Sequence, residues 1–349
     1  MLILGIETSC DETAAAVVKD GTEILSNVVV SQIDIFAEYG GVIPEVAARS
    51  HLEAMMPVVN KALTDANCTW NEVDAIAVTH APGLLGSLLV GTLTARTLAI
   101  LHAKPLYAIH HLKSHVYANW LNNATLPEFP LLALVVSGGH TQILYMPAHN
   151  QFEIIGTTND DAVGECFDKV AKILGLPYPG GPSIARAAEK GDATKYKLPH
   201  PKVEGLNFSF SGLKTAVLRA VQKEVGVPIA YPSHKLKELL SPQQICDFAG
   251  SFKKTALEIL GEKVEMALEQ YPEVKSVVVA GGVSANEELK AFILRLGARR
   301  NKAVFSPALS LSGDNGAMVA AACCYEIQSG VKPTDPYKLN IYPRIEITK

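Results

Sequence analysis

Leu2-Ile3-Leu4-Gly5-Ile6-Glu7-Thr8-Ser9-Cys10-Asp11-Glu12-Thr13-Ala14-Ala15-Ala16-Val17-Val18-Lys19 opens the chain, and its reading decides the fold. Leu2 to Glu7 is an apolar run of strand length, Thr8 to Glu12 a polar turn, and Thr13 to Lys19 a returning strand rich in Ala and Val. This predicts a β-hairpin with acids at its tip. The unit recurs: Leu131 to Val136 is apolar, Ser137-Gly138-Gly139-His140 is a turn, and Thr141 to Met146 returns. Two such units about 130 residues apart predict a duplicated lobe, with the two turns facing each other across a cleft.

The rest of the chain alternates as β and α. Gly40-Gly41 precedes a predicted helix from Pro44 to Ala62, Ala75 to Thr79 reads as a strand, and Gly83 to His102 as a long helix. Downstream, a strand at Ser276 to Ala280 closes on Gly281-Gly282, a helix follows from Asn286, Ala303 to Ser306 is a further strand, and a final helix begins near Asp314. Residues 160–270 are helix-like and studded with Pro, Gly and charge, which reads as a helical insertion. The expected architecture is α/β in two lobes: 1–115 with about 315–349 in the first, and about 116–314, carrying the insertion at about 160–270, in the second.

The 349 residues are 48% apolar and 19% charged, a composition that excludes disordered, collagenous and coiled-coil classes. The net charge of −4 rules out a wholly basic nucleic-acid coat. Residues 185–260, however, hold twelve Lys or Arg against seven Asp or Glu, which marks the insertion as the basic face. The first residues lack a cationic segment, and the longest apolar stretch, Leu84 to Ala103, contains Arg96 and reads as a buried helix. Six cysteines form no CxxC pair. A soluble, cytoplasmic protein without membrane attachment is expected.

Several residues could carry chemistry. His111-Leu112-Lys113-Ser114-His115 puts two imidazoles at i and i+4 on one helix face, within reach of a shared metal, although a surface or capping pair has the same spacing. No Glu lies between them, so the zinc-protease pattern HExxH is absent. Asp314 sits at the start of a predicted helix, where capping is the commonest use of Asp. The turns Ser137-Gly138-Gly139 and Gly281-Gly282 let backbone N–H groups approach an anion. Neither GxGxxG nor GxxxxGK[ST] occurs, so a nucleotide here requires another fold.

Segments spanning nearly the whole chain resemble the TsaD family, formerly grouped as O-sialoglycoprotein endopeptidases. They are Gly5 through Thr13; Tyr39-Gly40-Gly41-Val42-Ile43-Pro44-Glu45; His110-His111 with His115; Val136 through Thr141; Asp160-Asp161-Ala162 through Gly164-Glu165 to Phe167-Asp168-Lys169; Phe208-Ser209-Phe210-Ser211-Gly212-Leu213-Lys214-Thr215; and Gly281 through Asn286. The resemblance implies the two-lobed actin/Hsp70/sugar-kinase (ASKHA) fold. It also implies transfer of threonylcarbamoyl from threonylcarbamoyl-adenylate to N6 of adenosine 37 in tRNAs reading ANN codons, with AMP released.

By the same resemblance His111, His115 and Asp314 match the family's ligands for one divalent metal per subunit, Fe2+ or Zn2+. Val135, Val136, Ser137, Gly138, Gly139, Asp168, Gly181 and Asn286 match its substrate-binding positions. Asp11, Glu12 and His140 are the candidates for accepting the N6 proton. Implied partners are tRNA, a TsaB-like paralogue of the same fold and a TsaE-like P-loop ATPase. Departures are Ser312-Gly313 before the metal-binding Asp where many bacterial relatives have Cys-Thr, Ala81 before Pro82-Gly83, and Cys166 after Gly164-Glu165. A same-fold kinase or chaperone and a metalloprotease are the rival readings.

Overall fold

The computed structural model describes residues 1–348, and two five-stranded mixed sheets form its frame. The first contains β1 (Leu2–Glu7), β2 (Glu12–Lys19), β3 (Glu23–Ser31), β4 (Ala75–Ala81) and β5 (Leu106–His110) in the order β3-β2-β1-β4-β5. The second contains β6 (Leu131–Val136), β7 (Thr141–Met146), β8 (Glu153–Thr157), β9 (Ser276–Ala280) and β10 (Ala303–Phe305) in the order β10-β9-β6-β7-β8. The two orders are one topology read from opposite edges. The duplication therefore extends beyond the two hairpins to the complete sheets.

Each central strand is covered on both faces, which is why β1 and β6 are apolar along their length and do not alternate. Leu4 and Ile6 face α2 (Pro44–Asp65) and α3 (Leu85–Leu101), which follow the short α1 (Ile33–Tyr39) in the first lobe. After β5 the chain turns directly into α4 (His111–Tyr117). In β6, Leu132, Leu134 and Val136 pack under α5 (Val163–Leu174), α6 (Gly180–Ala188), α7 (Ser211–Glu224), α8 (Pro242–Gln270) and α9 (Glu287–Arg300). Leu131, Ala133 and Val135 point the other way, into a core between the two sheets. Residues 160–270 are thus no peripheral decoration: Val163, Phe167, Phe248 and Phe252 build the outer core of the second lobe.

The inter-sheet layer holds α4 and α11 (Gly316–Gln328), the latter following the single-turn α10 (Leu309–Ser312). Helix α11 is buried from Gly316 to Glu326, as its almost uninterrupted apolar sequence demands. Gly5 and Gly316 permit this fit, because a Cβ on Gly5 would collide with the Gly316 carbonyl and one on Gly316 would lie 2.5 Å from the Ala16 nitrogen. The cap of α11 is Asn315, whose side chain accepts the Met318 N–H at 3.0 Å. Of the two readings the sequence left open for Asp314, capping is not realised: Asp314 precedes the cap, and its carboxylate is available for another role.

Among the described residues no helix is long and apolar enough to cross a membrane, and all six cysteines are unpaired thiols. The basic balance of the insertion is also partly internal. Lys195 pairs with the buried Asp247 at 2.8 Å, Lys214 with Asp161 at 3.1 Å and Lys253 with Glu288 at 2.5 Å.

Candidate active site

The end of β5, the first turn of α4 and the approach to α11 meet between the lobes. His110 caps α4 by accepting the Leu112 N–H at Nδ1, so His111 is the first helical residue and His115 stands one turn later. Their rings meet edge to face with centroids 4.6 Å apart. Because α11 lies beside α4, Asp314 arrives opposite them, with Oδ1 3.0 Å from His115 Nε2 and 3.6 Å from His111 Nε2. One donor atom from each of the three residues lies within 4.8 Å of the others.

A buried carboxylate orients this group. His111 Nδ1–H donates to Glu7 Oε2 at 3.2 Å, beside the Ser9 hydroxyl, and Glu7 is itself held by the Ser9 N–H and the Thr79 hydroxyl. The tautomer is thereby set, and Nε2 is turned toward Asp314. Burial pulls the His111 imidazole down, but the Asp314 and Glu7 carboxylates outweigh it and raise the pKa to about 9. Burial likewise pushes Asp314 up, yet the charge of His111 and the neighbouring His115 hold it at about 2.

The group fits a transition metal. Both ring nitrogens of His115 are buried without a hydrogen-bond partner, although Nε2 is close to Asp314. Such an orphaned polar atom costs roughly 1–3 kcal/mol unless a ligand satisfies it. Two imidazoles and one carboxylate suit Fe2+ or Zn2+ far better than Mg2+, and three protein ligands leave positions open for substrate.

A cavity of about 1210 Å3 opens over this group, between the lobes. It is lined by Asp11 and Glu12 from the first hairpin tip, Ser137, Gly138, Gly139 and His140 from the second, and Asp168, Gly181, Asn286, His111 and Asp314. His115 lies beneath them, 1% exposed. Val135 and Val136 are not brought to the cavity: both are buried in β6, and the chain reaches the opening only at Ser137. Gly138, Gly139, Gly181 and Gly282 have no atom within 4 Å of where a Cβ would stand, so this wall is an open cradle of backbone. Gly281, at φ +87°, brings the turn after β9 against the Val136 carbonyl, which a Cβ would approach to 2.5 Å. Asp168 accepts the Gly180 N–H at 2.7 Å and Asn286 the Leu289 N–H at 3.0 Å, so each also anchors a helix start beside the cradle.

The acidic tip is clamped from behind. His51 of α2 donates from Nε2 to the Cys10 carbonyl at 3.0 Å and accepts from the Thr13 hydroxyl at 2.8 Å. Ser87 of α3 also donates to the Cys10 carbonyl, at 3.1 Å, and the Leu84 N–H to the Ser9 carbonyl at 2.8 Å. Burial, followed by the charges of Asp314 and Asp11, pushes the Glu12 carboxyl well above its usual range. Burial and the nearby His111 and His115 lower His140 to about 4. Burial raises the Cys10 thiol and pushes that of Cys166 up to about 12, so neither is a thiolate nucleophile. Glu7 and His51 escaped the sequence analysis; an acid ending an otherwise apolar strand was the signal for the first.

The comparisons with known proteins agree along the chain. The family model described as tRNA N6-adenosine threonylcarbamoyltransferase, TsaD, matches residues 23–321. The protein of that name from Bacillus cereus (strain ATCC 10987) is 46% identical over 351 residues, covering 99% of this chain and 96% of the relative. The one from Symbiobacterium thermophilum is 48% identical over 336 residues, covering 95% and 93%. Among solved structures, T. kodakarensis HypF is similar with a TM-score of 0.60 at 16% identity, over 95% of this chain and 48% of that one. That likeness concerns the fold alone, the two-lobed actin/Hsp70/sugar-kinase type. With a family match over most of its length and nearly half its residues identical to full-length relatives, the chain belongs to the TsaD family of tRNA N6-adenosine threonylcarbamoyltransferases.

Proposed function

We propose that the chain transfers threonylcarbamoyl from threonylcarbamoyl-adenylate to N6 of adenosine 37 in tRNAs reading ANN codons, releasing AMP. The observation that carries this reading is the convergence, on one cavity, of the His111–His115–Asp314 group, an open glycine cradle and an acidic turn. The Ser137 N–H closes its own turn on the His140 carbonyl at 2.8 Å, so Gly138 and Gly139 are the residues that hold the adenylate phosphate through backbone N–H groups, while Asp168, Gly181 and Asn286 flank the nucleoside. His111, His115 and Asp314 would hold one Fe2+ or Zn2+, which when bound supplies a Lewis acid for a substrate oxygen.

The adenine amine is a weak nucleophile because its lone pair is delocalised, so holding it against the carbamoyl carbon is the main task of the cleft. N6 bonds to that carbon, the carbon–oxygen bond to the phosphate breaks, and AMP leaves with the electron pair. Glu12, whose carboxyl is pushed above its usual range by burial and the neighbouring acids, is one candidate acceptor of the N6 proton. Asp11 and His140 stand beside it on the cavity wall.

A kinase or chaperone would hold Mg2+ through oxygen ligands and would have little use for two imidazoles. A protease reading lacks its general base, and Glu7 is occupied in orienting His111. The partners we infer are tRNA, a TsaB-like paralogue and a TsaE-like ATPase, in the cytoplasm. Mass spectrometry of tRNA nucleosides tests the function: depletion of the chain removes N6-threonylcarbamoyladenosine, and the parent chain restores it while His111→Ala does not. Unchanged modification after depletion would refute the reading.

A further inference from the structure

The C-terminal segment crosses the mouth of the cleft from one lobe to the other. On the first lobe, Tyr342 N–H donates to the His80 carbonyl at 3.1 Å, Gly83 N–H to the Pro343 carbonyl at 3.3 Å, and His110 Nε2–H to the Ile345 carbonyl at 3.3 Å. On the second, Ile347 is buried in the inter-sheet core, and Glu346 and Thr348 line a smaller cavity with Gln142 and Ile154. Between these anchors stands Arg344, exposed, lining the main cavity, and without a hydrogen bond or ion pair among the described residues.

Arg344 is also the one Lys or Arg lining that cavity among the described residues, whereas Asp11, Glu12, Asp168, Asp314 and Glu346 all contribute carboxyl groups. A polyanion approaching this opening therefore meets one guanidinium, with no other Lys or Arg on the wall to hold it. The backbone beneath that guanidinium is tied on both sides, so little ordering cost attends its use. We propose that Arg344 grips a backbone phosphate of the tRNA beside the target adenosine and holds the anticodon arm in the cleft. The inference rests on the transferase reading above. The phosphate of the nucleotide is the other candidate, but the open glycines Gly138, Gly139, Gly181 and Gly282 all belong to the second lobe, while Arg344 lies on the solvent side next to the first-lobe anchors. A planar guanidinium can take two phosphate oxygens at once, which an ammonium cannot.

The test measures, for the full-length chain, tRNA affinity against salt concentration and AMP affinity in parallel. Arg344→Ala is expected to weaken tRNA binding roughly tenfold and to flatten the salt slope by about one unit or slightly less. Arg344→Lys should recover the slope and part of the affinity, with AMP binding unchanged in both variants and serving as the control for folding. Parental tRNA affinity and slope in Arg344→Ala would overturn the proposal. So would a loss of AMP affinity with tRNA binding intact, which would move the arginine to the nucleotide phosphate. If the parent chain itself binds tRNA without salt dependence, the transferase reading fails first and the role of Arg344 falls with it.

Discussion

Glu7 decides which nitrogen of His111 is offered to the cavity, and a single side chain thereby sets the geometry of a three-residue group. His111→Ala or His115→Ala should abolish metal binding while the fold persists, since losing one of three ligands cripples such a site. Glu7→Ala should lower metal affinity about 10–100-fold with all three ligands present, because the imidazole is no longer oriented. Metal analysis of the purified variants checks both, and full occupancy in the histidine variants would reduce the pair to a structural role. The His111 and His115 spacing was legible in the sequence because one turn of helix separates them. Asp314 taken by itself stayed open between cap and ligand, and only the resemblance pointed to the ligand; a helix start admits a cap at either of two adjacent residues, and the backbone shows that Asn315 takes it.

Asp160-Asp161 and Ser209 through Lys214, which the family resemblance marked without assigning these residues a role, prove to be one latch. Asp160, in the loop before α5, accepts the hydroxyls of Ser209 and Ser211 and the N–H groups of Phe210 and Ser211, so it holds the N-terminus of α7. Asp161 beside it binds Lys169 and Lys214. Burial opposes ionisation of both acids, but these partners outweigh it and keep each carboxyl below its usual range. A depressed folded pKa contributes stability above the unfolded value, near 3.9, and loses it as pH falls through the folded one. Melting temperature should therefore drop as pH falls below about 4, and Asp160→Asn should shrink that dependence. An unchanged pH profile in the variant would show that the latch does not rely on the charge.

Lys195 belongs to the same scale. It neutralises the buried Asp247, so Lys195→Ala should lower the melting temperature, whereas Lys197→Ala and Lys202→Ala should not; calorimetry separates them. Counting charges along the insertion predicted a basic face, but it could not reveal which lysines already face carboxylates inside the fold. Strand detection had a similar limit. β1, β2, β6 and β7 stand out because they are buried on both faces, while β3 is an edge strand with four of its nine residues exposed, and β5 passes into α4 without a turn residue.

The outer surface of the first lobe carries an apolar row on two adjacent helices. Leu85, Leu89 and Leu93 follow one another at i, i+4 and i+8 on α3 and are 59%, 45% and 44% exposed, while Leu52 and Met56 on α2 are 68% and 43% exposed. Scattered exposed leucines need no explanation, but three spaced at successive helical turns beside two more on a packed neighbouring helix offer a surface on which an apolar partner would fit. Other sides of these helices hold the acidic tip, through His51, which precedes Leu52, and through Ser87, between Leu85 and Leu89. The TsaB-like paralogue inferred above, seated on this row, would brace the turn that carries Asp11 and Glu12. Leu89→Arg, an exposed site that tolerates a cation without disturbing the core, should abolish co-purification with the TsaB-like paralogue and reduce transfer at least tenfold, since the substituted charge would be desolvated at the contact. Metal content and AMP affinity should remain those of the parent chain, because neither site touches α3's outer face. A variant that still elutes with the paralogue and retains full transfer would place the contact elsewhere and leave the row as ordinary surface.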